Sequence, residues 1–174
     1  MDRGDIILSG VALANEYAGF HRGQILDFEK DVEGLGFSVA YHGGSRGEST
    51  IYIYDKRLSD IPNGPMHQTV LAEFNRTTDE VLALPLGKLP PIRQVELVAR
   101  YGTGAPERGQ EFLCAEFIVT KPEGAVRSFL YLTGALGRFI KIRVTLNTND
   151  EADPAARNFA DAAARRLWEK PSLH

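Results

Sequence analysis

Sulfur and long apolar runs are scarce in this sequence of 174 residues. It has one cysteine, Cys114, which cannot form an intramolecular disulfide, so the fold is expected to be independent of oxidation. No apolar stretch approaches the roughly 18 residues of a transmembrane helix, which predicts no membrane span. Residues 1–5 lack the basic region and apolar region of a signal peptide. We therefore expect a cytoplasmic protein, or alternatively a periplasmic or secreted domain whose export signal has been removed.

Positive charge is also in short supply. Lysine and arginine total 20 against 23 aspartates and glutamates, which gives a net charge of −3. Proteins that bind nucleic acids usually carry a basic face or stripe, so the composition argues against nucleic acid as a partner. The hydrophobic fraction of 43% and the charged fraction of 25% are ordinary for a soluble globular protein. The length predicts one domain over residues 1–174.

Motifs for metals and nucleotides are lacking as well. No two histidines are four residues apart, and none has a cysteine or carboxylate at metal-ligand spacing; they are His21, His42, His67 and His174. The glycines of residues 102–109 precede no helical pattern, and no Gly-Lys-Ser/Thr phosphate loop occurs. The sequence therefore predicts neither a metal ion nor an organic cofactor.

Alternation of apolar and polar residues indicates strands in the first third of the chain. Residues 6–14 are a candidate strand. Residues 24–33 are ambiguous, because Ile25, Phe28 and Val32 fit one helical face but the segment is short and ends at glycines. Residues 37–41 and 50–55 are rich in β-branched and aromatic side chains, and the glycine-rich residues 43–47 between them predict a hairpin turn.

The rest of the chain predicts four strands between two helices. The strands cover approximately residues 94–101, 111–120, 125–132 and 138–146, and their short connections require antiparallel pairing in a meander. The first helix is predicted to begin at residues 63–65, with a capping asparagine and a proline, and the second at Asp153-Pro154. Their apolar stripes are Val70, Leu71, Phe74, Thr78, Val81 and Leu82, and Ala156, Phe159, Ala163 and Leu167. This order predicts an α+β fold, an antiparallel sheet flanked by two main helices.

Three short strings carry a resemblance to a known fold. DIPNGP (residues 60–65), TIYIYD (residues 50–55) and GRFIKIRVT (residues 137–145) look like segments of uncharacterised bacterial proteins of about this size. With the order of elements, they give a resemblance to the photosystem PsbP-like α/β/α sandwich, in which an antiparallel sheet lies between helices. PsbP-like folds serve as accessory, adaptor, chaperone and binding proteins, so the resemblance implies a non-enzymatic role.

One motif favours an enzyme instead. Residues 43–47 match the G-x-S-x-G nucleophile elbow around Ser45, but the elbow requires a helix after the serine and here a strand pattern follows. Cys114 lies within a predicted strand, where a free cysteine usually acts as a small apolar residue. A hydrolase that uses Ser45 or Cys114, with His42 or another base within hydrogen-bond reach, is the alternative function.

A mixed aromatic and charged sheet face is the candidate binding site. Strand alternation places Lys141 and Arg143 opposite the apolar residues of their own strand. If the faces of neighbouring strands coincide, six residues form the site: Tyr52, Tyr54, Glu116, Tyr131, Lys141 and Arg143. Polar groups that converge on an apolar surface are typical of ligand sites. The alternative is a solvent-exposed or helix-covered face on which Glu116 is paired with Lys141 or Arg143. We expect a binding or adaptor domain whose partner is an unidentified protein or small molecule.

Overall fold

The computed structural model describes residues 4–87, 91–104 and 111–168. Within these ranges the chain forms ten strands and two α-helices. The strands are β1 (Ile6–Leu8), β2 (Val11–Leu13), β3 (Glu16–Tyr17), β4 (Phe20–Asp27), β5 (Phe37–His42), β6 (Gly47–Tyr54), β7 (Gln94–Thr103), β8 (Phe112–Lys121), β9 (Gly124–Ala135) and β10 (Arg138–Leu146). The helices are α1 (Gln68–Leu82) and α2 (Ala155–Trp168). His174 and residues 105–109 of the glycine-containing segment lie outside the described residues.

Eight of the strands form one antiparallel sheet in the order β3-β4-β5-β6-β10-β9-β8-β7. The predicted meander is confirmed, because β7, β8, β9 and β10 pair in sequence and antiparallel. The predicted hairpin of β5 and β6 is also present, and β6 pairs with β10 to join the two halves of the sheet. The α+β fold with an antiparallel sheet is therefore confirmed.

The two helices pack on opposite faces of this sheet. The α1 stripe contributes Val70, Phe74 and Val81 to a core with residues of β8, β9 and β10: Phe117, Leu130, Leu132 and Phe139. On the other face, Phe159 of α2 meets three aromatic rings at centroid distances of 5.3 to 5.5 Å, those of Tyr17, Phe20 and Tyr41. Such edge-to-face contacts add to the stabilisation that apolar burial provides.

The predicted start of α1 at residues 63–65 is wrong by a few residues. His67 is the N-cap, and its Nδ1 accepts the N–H of Thr69 at 3.2 Å. Asn63 instead accepts the N–H of Leu136 at 3.1 Å, in the turn between β9 and β10. The predicted start of α2 is accurate, because the Asp153 carboxylate accepts the N–H of Ala155 at 2.9 Å.

Two segments near the amino terminus differ from the predictions. Residues 6–14 form the two short strands β1 and β2, which pair as a hairpin separate from the main sheet. Residues 24–33 divide between β4 and the loop to β5, and Ile25, Phe28 and Val32 are all exposed rather than forming a buried helical stripe. Gly36, just before β5, must be glycine. Its φ of 66° is in the left-handed region, and a Cβ atom there would lie 1.8 Å from the Ile53 carbonyl oxygen.

Candidate ligand-binding site

Four of the six predicted site residues share the sheet face on which α1 packs. Lys141 of β10 is opposite Tyr52 of β6, and Tyr54 lies two residues further along β6, opposite Phe139. Arg143 lies two residues from Lys141 on β10, so its side chain projects from the same face. The register therefore brings two tyrosines and two cations together beside α1.

The other two predicted residues lie on the opposite face, towards α2. Tyr131 is opposite Ile142 on the β9–β10 pair and is almost fully buried. Glu116 forms an ion pair with Arg127, at 3.2 Å, rather than with a cation of β10. The expectation that all six residues share a face is therefore wrong, and so is the alternative pairing of Glu116 with Lys141 or Arg143. The reason is the strand register, which residue alternation within single strands does not determine.

The Lys141 side chain lies over the aromatic rings of the two β6 tyrosines. Its ammonium nitrogen is 4.5 Å from the ring centroid of Tyr52 and 5.5 Å from that of Tyr54, which are cation–π distances. Burial lowers the pKa of Lys141. Within the described residues Lys141 has no ion-pair partner, so its charge is balanced only by aromatic faces and by more distant carboxylates.

Arg143 is the second cation of this face. Its Nη2 donates to the Ser128 hydroxyl at 2.9 Å, and that hydroxyl lies 3.2 Å from the hydroxyl of Thr145. The Nε atom is buried and has no hydrogen-bond partner among the described residues. Burial lowers the pKa of Arg143, although a guanidinium group stays charged in proteins. The side chain therefore carries a full charge and has one buried donor without a partner.

A network of paired charges on α1 lies beside these two cations. Glu73 is buried and accepts hydrogen bonds from the Tyr54 hydroxyl at 2.7 Å, the Lys56 ammonium at 3.0 Å and Arg76 Nε at 2.9 Å. Burial alone would raise the pKa of Glu73, but the hydrogen bonds from Arg76, Tyr54 and Lys56 outweigh it and hold this pKa below its ordinary value. Arg76 also binds Glu80. Two cations and two carboxylates thus neutralise each other.

Two adjoining cavities open between α1 and the sheet, and we call them together the α1 cleft. The inner cavity, of about 160 Å³, is lined by Thr77, Glu80, Val81, Leu84, Leu130, Lys141 and Arg143. The outer cavity, of about 290 Å³, is lined by Leu35, Tyr52, Tyr54, Lys56, Arg76, Glu80 and Lys141. Lys141 and Glu80 line both. Together the cavities reach the lower part of the size range of small-molecule sites, about 300–1,000 Å³.

The α1 side of this cleft was not predicted from the sequence. Glu73 and Thr77 are polar residues four apart, adjacent to the predicted apolar stripe of the helix. Both are nearly fully buried, and Thr77 donates its hydroxyl proton to α1 carbonyl oxygens. The sequence held one signal for this side of the cleft, namely the carboxylate Glu73 beside the apolar stripe of the helix. A carboxylate at such a position is buried and therefore requires partners.

Residues 43–47 form a turn rather than a nucleophile elbow. A short 3₁₀ segment, Gly44–Arg46, joins β5 directly to β6, so no helix follows Ser45. Among the described residues no histidine or carboxylate hydrogen-bonds to the exposed Ser45 hydroxyl, and the neighbouring His42 binds Glu48. Gly47 is required sterically, because a Cβ atom would lie 2.1 Å from the Thr145 carbonyl oxygen.

Cys114, the other candidate nucleophile, lies in the core on the α2 face. Its side chain is inaccessible to solvent, and burial raises the pKa of its thiol to about 12, although hydrogen bonds with Tyr101 and Tyr131 act in the opposite direction. Because the thiolate is the reactive form of cysteine, this environment disfavours nucleophilic chemistry.

Among the residues that the structure describes, no group of three or more histidine, cysteine, aspartate or glutamate side chains is arranged to hold a metal ion. Neither described helix is long and apolar enough to cross a membrane.

Comparison with known proteins leaves the site to be interpreted from its own geometry. The PsbP-like resemblance stays a prediction, since it was drawn from short strings and the order of elements. No protein-family model matches this chain, and no curated protein matches it significantly.

Proposed function

We propose that this chain is a non-enzymatic binding domain that takes a small ligand into the α1 cleft. The observation that carries the proposal is the position of Lys141 and Arg143, side by side in the inner cavity with no carboxylate partner among the described residues. Buried charges in proteins are normally paired or hydrogen-bonded. A bound ligand would supply the missing partner for both cations.

The walls of the cleft support a ligand with an apolar part. The Tyr52 ring offers a flat surface in the outer cavity, whereas Val81, Leu84 and Leu130 give the inner cavity apolar walls. A few polar groups within an apolar lining are what orients small ligands in their sites. Because α1 covers part of this sheet face, we favour a small molecule over a protein as the occupant.

Two broader expectations accompany this proposal. The position of a sheet between helices on opposite faces supports the PsbP-like α/β/α description, and with it a bacterial binding or adaptor protein. We also propose the cytoplasm as its location, with the periplasm or the cell exterior as the alternative. Fractionation of cells that express the native gene would decide between these compartments.

A fragment screen by NMR tests the proposed function. Neutral, anionic and cationic fragments are added to ¹⁵N-labelled protein, and we expect the hits to shift backbone amides at Tyr52, Thr77 and Arg143. Variant Lys30→Met, at an exposed loop position, is the control and should bind the same fragments. Shifts confined to the turn around Ser45, or no shifts with fragments of any charge, would contradict the proposal.

A further inference from the structure

The charge balance of the α1 cleft identifies the class of ligand. The two cations that line only the outer cavity have carboxylate partners: Lys56 contacts Glu73 at 3.0 Å, and Arg76 binds both Glu73 and Glu80. These four groups therefore carry no net charge. Glu80 also lines the inner cavity, but its carboxylate is held by Arg76.

The uncompensated charge belongs to the two cations of the inner cavity, one of which, Lys141, also lines the outer cavity. Lys141 and Arg143 are two residues apart on β10, so both project from the same face towards one space of about 160 Å³. Neither has an ion-pair partner among the described residues. The inner cavity consequently holds two positive charges and no carboxylate that is free to balance them.

The hydrogen-bond donors match an oxyanion with several oxygens. The Lys141 ammonium, 4.5 Å from the Tyr52 ring centroid, lines the inner cavity and has three N–H donors. The Arg143 guanidinium lines the inner cavity, and its Nη2 donates to Ser128. Its Nε–H has no hydrogen-bond partner among the described residues but is itself buried from solvent. A guanidinium can donate two parallel hydrogen bonds to a phosphate or a carboxylate, which makes arginine the usual residue for such groups.

We infer that the ligand of the α1 cleft is a phosphate monoester whose dianionic head group lies between Lys141 and Arg143. This inference rests on the proposed function, since it specifies the occupant of the same cleft. A phosphate dianion balances both cations, whereas a single carboxylate leaves one partly buried charge without a partner, which is unfavourable. The compact inner cavity accepts the head group, and the ester-linked body lies in the outer cavity against Tyr52 and Leu35.

Isothermal titration with three matched probes tests this inference. Phenyl phosphate, phenyl sulfate and phenol share one ring, but at pH 8 they carry about two, one and no negative charges. We expect phenyl phosphate to bind at least about tenfold more tightly than phenyl sulfate, which corresponds to about 1.4 kcal/mol, and phenol to show no measurable binding. Inorganic phosphate should bind more weakly than phenyl phosphate because it lacks the ring.

Variants locate the binding and separate the two proposals. Lys141→Met and Arg143→Met should each weaken phenyl phosphate binding by at least about tenfold, whereas Lys30→Met should not change it. Equal affinity for phenyl phosphate and phenyl sulfate in the unmodified protein would overturn the phosphate inference without any variant having to fold. Phenol binding as tightly as phenyl phosphate would also overturn it, although the cleft would remain a ligand site. Failure of the proposed function itself is a different result, namely no fragment of any charge shifting the cleft amides.

Discussion

Lys141 and Tyr52 lie directly opposite each other on the β10–β6 pair, with the ammonium nitrogen 4.5 Å from the tyrosine ring centroid. The ring therefore offers a partner of opposite polarity to a cation that forms no ion pair among the described residues. Because an aromatic face compensates a charge only in part, Lys141 remains able to bind an anion. This arrangement links the register of the central strands to the chemistry of the cleft.

Replacement of Tyr52 should affect ligand binding more than folding. Tyr52→Leu removes the aromatic face, and we expect phenyl phosphate to bind several-fold more weakly while the free energy of unfolding falls by about 0.5–2 kcal/mol. Tyr52→Phe is the matched control, because it keeps the ring and should retain most of the affinity. Titration calorimetry and urea unfolding measure the two effects. Equal affinity of the leucine and phenylalanine variants would exclude the ring from the binding surface.

Substitution of the buried Glu73 should destabilise the fold. Glu73→Gln keeps the shape of the side chain but removes its negative charge. The carboxylate binds Lys56 and Arg76 and accepts a hydrogen bond from the Tyr54 hydroxyl. Both cations are partly exposed and regain water, so we expect a loss of about 1–3 kcal/mol, below the cost of breaking a fully buried pair. Glu80→Gln, at an exposed position on the same helix, should cost less than about 1 kcal/mol. Urea denaturation compares them; an equal loss in both variants would show that burial of Glu73 is unimportant.

Acid should destabilise the protein partly through Glu73. Its folded-state pKa lies below the ordinary value of 4.5, so the stabilisation is fully present above that value and is lost as the pH falls through the folded-state pKa. The groups that face Glu73 include Tyr54, Lys56, Arg76 and, through Arg76, Glu80. Melting curves from pH 7 to pH 2 should show a shallower acid decline for Glu73→Gln than for the unmodified protein. Parallel declines would place the acid sensitivity elsewhere.

Cys114 should be inert in the folded protein. Its thiol is buried and burial raises its pKa to about 12, so a thiol reagent such as DTNB should react only when the chain unfolds. Reaction rates measured across a urea titration should follow the unfolded fraction. Fast reaction in native buffer would reopen the alternative of a cysteine-dependent hydrolase.

The Ser45→Ala variant should leave both the free energy of unfolding and ligand binding unchanged.

The strands of the meander were predictable because their alternation is regular and their turns are short. Short connections exclude parallel pairing on steric grounds, so the order of β7 to β10 followed from the sequence. The start of α1 did not follow, because Asn63 and Pro65 resemble a helix start. In the structure Asn63 binds the β9–β10 turn instead, a contact between residues distant in sequence.

The candidate site was predictable only in part. Residue alternation correctly placed Lys141 and Arg143 on one face of β10, but it does not reveal which residues of the next strand share that face. Glu116 and Tyr131 therefore appeared in the prediction although they face α2. The ion pairing of Arg76 depends on the packing of α1 against the sheet, which is tertiary information.

The melting temperature of the ligand-free double variant Lys141→Met/Arg143→Met tests the central claim most directly. Both cations are partly buried and have no carboxylate ion-pair partner among the described residues, so methionine removes uncompensated charge. For fully buried charges such replacements are often neutral or stabilising by about 1–4 kcal/mol. We predict an equal or higher melting temperature together with loss of phenyl phosphate binding. A markedly lower melting temperature would contradict the account, because it would mean that these two cations stabilise the fold rather than bind a ligand.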